Sequence, residues 1–141
     1  HRDLHSFPTR RSSDLIMKLT RKIMLIVLIG LFSQFSMADN ASSAKDIADI
    51  VASLNHFPSD SDKSTLMAIS SDDSLAEGVR AMATAVATFA HSANDEGKAA
   101  MAMIQANDEA PDRAKALAGI IASLTHMASA DAKATLAELF P

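Results

Sequence analysis

Histidine and methionine are the residue types in this chain best suited to chemistry. Beyond residue 38 the only histidines are His56, His91 and His126, and the step between them is 35 residues both times. Neutral imidazole is the commonest protein ligand for transition metals, and thioether sulfur suits soft copper. His56, His91 and His126, with Met101 and Met127, are therefore the candidate ligands for a copper or zinc site. Two geometric arguments weigh against it. A shared ion needs each nitrogen within about 2.1 Å, whereas equivalent positions in stacked helical repeats lie roughly 8–10 Å apart. Met101 and Met103 are two residues apart, so on a helix they point about 200° away from each other. The sequence thus favours histidines that cap helix ends or pack in turns, and methionines that fill core gaps. No metal and no cofactor is expected.

Other chemistries find less support. The chain has no cysteine, no Gly-x-Ser-x-Gly and no His-Glu-x-x-His, so no activated nucleophile or zinc-protease pair is visible. The acids at Asp60-Ser-Asp62, Asp72-Asp73 and Asp95-Glu96 suit helix starts, where the helix dipole favours negative charge. None has the alternating oxygens, central glycine and closing glutamate of a calcium loop. Residues 39–141 carry seven Lys and Arg against fifteen Asp and Glu. That balance, with only three Phe and no Trp or Tyr, excludes a basic, aromatic-lined nucleic-acid surface. The expectation is a protein that is not an enzyme.

The elements that hold these residues follow from the same period. Apolar residues, all but Ala44 and Ala114 large, recur at 44, 47, 51, 54, then 79, 82, 86, 89, then 114, 117, 121, 124. Spacing of three and four makes one stripe along a helix in each repeat. Ala48, Ala83 and Ala118 sit beside the stripe, where a small residue lets a neighbouring helix approach. Lys63, Lys98 and Lys133 are in phase as well, as are Lys45, Arg80 and Lys115. Alanine fills 26 positions after residue 38, a helix-favouring composition. Repetition at this length marks a helical array. The fold class is all-α: three αα-hairpin repeats, about 39–73, 74–108 and 109–141, forming a short solenoid or a compact six-helix bundle. Each repeat pairs a long helix with a shorter one at roughly 60–69, 95–105 and 130–139. Ser59, Asn94 and Ser129 suit N-caps for the short helices. Ser74-Leu-Ala-Glu77 has the form of a capping box, Pro111 suits a first helical turn, and Pro58 ends the first long helix near His56.

The stretch from Asp73 to Val86, with Val79-Arg80 after an acidic turn and Ala83 on the helix face, resembles a HEAT-type repeat. The resemblance covers the long helix of each period, with Ala44-Lys45 standing for Val-Arg in the first. It implies a protein-binding scaffold without an active site. The Trp-Leu-Gly-Tyr pattern of tetratricopeptide repeats is absent.

The N-terminus reads differently. Residues 1–15, from His1 to Leu15, resemble the in-frame translation of a sequencing adapter, so 1–16 are set aside as non-native. From Met17 a basic segment (Lys18, Arg21, Lys22) precedes an unbroken apolar run from Ile23 to Phe32 and the small residues of Ser36-Met-Ala38. That is the pattern of a secretory signal over 17–38, cleaved between Ala38 and Asp39. The run is shorter than the about 20 residues a membrane span needs, so no membrane anchor is expected after cleavage. The expected protein is periplasmic or secreted, a helical-repeat interaction module whose partner is another protein. The alternative is a periplasmic copper or zinc protein using the His and Met set. A third reading is a small ligand in an alanine-lined groove.

Overall fold

The computed structural model describes residues 37–141. The adapter-like segment and nearly all of the expected export signal lie outside the described residues. The expected cleavage point, Ala38/Asp39, falls in the first turn of the first helix. Six helices follow in order: α1 (Met37–Ser53), α2 (Asp60–Ser71), α3 (Glu77–Ala87), α4 (Asp95–Ala106), α5 (Asp112–Ser123) and α6 (Ala130–Leu139). Among the described residues no strand forms, only isolated bridges. None of these helices is long and apolar enough to cross a membrane. Only α1 is much longer than its hairpin partner; α3 and α5 match the outer helices in length.

All twelve stripe residues are buried, as are Ala48, Ala83 and Ala118. The stripes turn α1, α3 and α5 toward one another, and these three pack pairwise as an inner layer. Each outer helix lies against the inner helix of the next repeat: α2 on α3, α4 on α5, and α6 back on α1. The last repeat therefore meets the first, so the array is a closed six-helix bundle and not an open solenoid. Leu66, Met101 and Leu136, at the same register in the outer helices, complete the core. Lys45 fastens the closure, its ammonium donating to the Phe140 carbonyl at 3.0 Å while Asp49 lies 3.5 Å away.

The outer helices begin where expected. The side chains of Ser59, Asn94 and Ser129 each accept a backbone N–H from the first turn. The capping box lies at Ser59 and Asp62, not at Ser74 and Glu77. Two competing contacts explain the difference. The Ser74 hydroxyl donates to Asp72 Oδ1 at 2.6 Å, within its own loop. The N-cap of α3 is Ala76, whose N–H donates to Asn40 Oδ1 at 2.8 Å, a residue from the first repeat. The bonds from the Ser74 side chain and backbone also hold the Asp72 carboxyl below the usual aspartate range. Pro111 is the N-cap of α5 and sits one residue before its first turn.

Candidate functional site

The inner helices α1, α3 and α5 end at Ser53, Ala87 and Ser123, three or four residues before their histidines. The intervening chain is pinned on both sides. Leu54, Phe89 and Leu124 are buried two residues before the histidines, and Pro58, Ala93 and Ala128 are buried two residues after. The histidine between them must turn the chain sharply. All three do so with positive φ: 65° at His56, 67° at His91 and 61° at His126. The Phe57 N–H donates to the Asn55 carbonyl at 2.8 Å and the Met127 N–H to the Thr125 carbonyl at 2.7 Å, the i to i+2 bond of a γ-turn. Left-handed backbone costs a non-glycine residue roughly 1–2 kcal/mol, and histidine is among the residue types that tolerate it better than most. Such strain persists only where the surroundings over-determine it.

Here the surroundings include the other two turns. The His56 N–H donates to the His126 carbonyl at 2.7 Å, the His126 N–H to the His91 carbonyl at 2.8 Å, and the His91 N–H to the His56 carbonyl at 3.4 Å. The three histidines thus close a cyclic triangle of backbone bonds on the pseudo-threefold axis. Their side chains gather on it. Ring centroids lie 5.8 Å apart for His56 and His91, 5.2 Å for His56 and His126, and 5.1 Å for His91 and His126. The rings meet edge to face, and Phe57 packs its ring 4.9 Å from that of His91. All three histidines are exposed. Phe57 and Met127 flank them, 53 % and 49 % exposed, so imidazoles and two large apolar side chains share one end of the bundle.

This arrangement corrects the ladder expected from the sequence. A closed ring brings equivalent positions together at its axis, whereas a ladder would have kept them one helix spacing apart. Nor are the histidines helix caps: they lie beyond the helix ends, and the His56 ring bonds through Nδ1 to Asn55 Oδ1 at 2.7 Å. Of the methionine candidates, Met101 is fully buried in the core, away from any surface site, while Met103 on the opposite face is 51 % exposed. Met127 alone stands beside the histidines. Lys63, Lys98 and Lys133 are exposed on the first turns of the outer helices, close to Ser59, Asn94 and Ser129. Among the described residues no group of three or more His, Cys, Asp or Glu side chains is arranged to hold a metal ion as it stands.

Two recesses lie elsewhere. A cleft of about 150 Å³ opens between the inner helices toward their N-terminal halves, lined by Ala44, Val79 and Ala114 from equivalent positions, with Asn40, Arg113 and Phe140. A shallow groove of about 200 Å³ between α3 and α4 is lined by Ala81, Ala85 and Ala100, with Thr84, Thr88 and Asn94. Its alanine lining is where the small-ligand reading would apply, and it gathers no titratable group except Glu96.

Sequence reasoning missed Asn55 and the convergence itself. The only signal for either was the 35-residue step of the histidines between neighbours that differ in every repeat: Asn55, Ala90 and Thr125 before them, Phe57, Ser92 and Met127 after them. Comparison with protein-family models, curated proteins and solved structures returned no match, so the likeness to HEAT-type repeats rests on the residues quoted for it.

Proposed function

We infer that this protein is an exported, non-enzymatic helical-repeat binding module, and that its recognition surface is the axial face around His56, His91 and His126. One observation carries the reading: three exposed histidines in strained backbone are gathered on the axis. A turn serving only to reverse the chain would be met at lower cost by glycine. Keeping imidazole three times, between neighbours that all vary, favours a use for the side chains. Exposed Phe57 and Met127 add apolar contact area of the types enriched at protein interfaces. The signal-like pattern over 17–38 supports a use outside the cytoplasm.

The test is an NMR titration of the 15N-labelled chain with the macromolecular and small-molecule fractions of an extract from the export compartment. Perturbed amides concentrated at 55–57, 90–92 and 125–127 support the reading. Perturbations confined to the cleft near Asn40 and Val79, or to the groove between α3 and α4, would move the function to those places and refute it.

A further inference from the structure

The geometry points to a tripod: His56, His91 and His126 together take one late first-row transition-metal ion, zinc or copper, on the pseudo-threefold axis. The inference deepens the axial-face reading and rests on it. An imidazole nitrogen about 2.1 Å from zinc puts its ring centroid roughly 3.2 Å from the ion, and three such rings at tetrahedral angles lie about 5.2 Å apart. The observed separations are 5.1, 5.2 and 5.8 Å. The backbone triangle already fixes the base of the tripod. The three histidines do not form a metal-holding group as they stand, so ligation requires each ring to turn about its Cβ–Cγ bond, which runs close to the ring centroid and leaves the separations nearly unchanged. For exposed side chains that motion takes picoseconds to nanoseconds.

Protonation and charge agree with this use. Asn55 Oδ1 is an acceptor, so the 2.7 Å contact suits the neutral tautomer with its proton on Nδ1, in which the Nε2 lone pair is left for a metal. An outer hydrogen bond of this kind orients most metal-bound histidines and raises their basicity. The carbonyl ends of α1, α3 and α5 and the N–H ends of α2, α4 and α6 meet at this end, so their dipoles largely offset and the formal charges decide. The outer helix starts around it carry Asp60, Asp62, Asp95, Glu96 and Asp131 against Lys63, Lys98 and Lys133. An all-imidazole set selects zinc or copper over calcium and magnesium, which demand oxygen ligands. Three ligands leave a fourth position open, and the Met127 thioether beside His126 suits copper there.

The experiment uses the full chain without an affinity tag, titrated with zinc by calorimetry and with cobalt by visible absorption. One ion per chain and a tetrahedral cobalt spectrum are expected. His91→Gly keeps the fold, because glycine accepts a φ of 67°, and weakens zinc binding by more than about 100-fold; Asn55→Ala, which removes only the outer bond, weakens it by about 10–100-fold. No uptake at about 0.1 mM zinc, undiminished binding in His91→Gly, or one ion shared by two chains overturns the tripod. If metal fails while the extract still perturbs the axial amides, the tripod falls and the axial-face reading stands. If zinc binds only away from 55–57, 90–92 and 125–127, the tripod alone falls; both fall if the extract, too, perturbs only amides elsewhere.

Discussion

Replacing His91 by glycine and, separately, by alanine measures the strain stored at the axis. At an ordinary position alanine is the more stable choice, because glycine adds about 0.4–1 kcal/mol of backbone entropy to the unfolded chain. At φ 67° alanine keeps the left-handed penalty of roughly 1–2 kcal/mol, which glycine escapes. Both variants lose the ring contacts to His56, His126 and Phe57 equally, so those contacts cancel in the difference. The remainder favours glycine by about 1 kcal/mol. In a domain near one hundred residues that corresponds to a melting difference of about 4–8 °C. Urea unfolding of the two variants, with the denaturant slopes compared to confirm the same transition, gives the number directly. A more stable alanine variant would refute the strained-turn account, and with it the argument that histidine is retained for its side chain.

Two further predictions concern the scaffold. Phe89→Ala removes a buried stripe residue just before the His91 turn and should cost about 3–5 kcal/mol; a thermal melt that matches the unaltered chain would contradict the packing described. Ser129→Ala removes the side chain that caps α6 and should cost about 1 kcal/mol. Ser74→Ala should cost less, since the Ser74 hydroxyl caps no helix and bonds only to exposed Asp72. Equal losses in the two serine variants would return the capping box to Ser74.

What the sequence reveals about this fold is what short-range periodicity can carry. The stripe from Ala44 to Leu124 and the caps at Ser59, Asn94 and Ser129 depend on residues within one or two helical turns, and they stand where their spacing puts them. Closure of the ring does not depend on such residues. It depends on the angle between successive hairpins, which no residue spacing encodes, and a 35-residue period fits an open stack equally well. The Ser74 expectation failed for a related reason: Asn40 reaches the N–H of Ala76 from a whole repeat away. The axial site was hidden twice over. His56, His91 and His126 carry no glycine or asparagine to flag left-handed backbone, and their convergence appears only once the ring is closed.

The most direct measurement follows the ring nitrogens of the histidines by 1H–15N correlation while zinc is added. A tripod predicts that His56, His91 and His126 respond together and saturate at one ion per chain, with His56 keeping its proton on Nδ1 and binding through Nε2. Three rings that respond separately, or that do not respond while zinc binds, would contradict it.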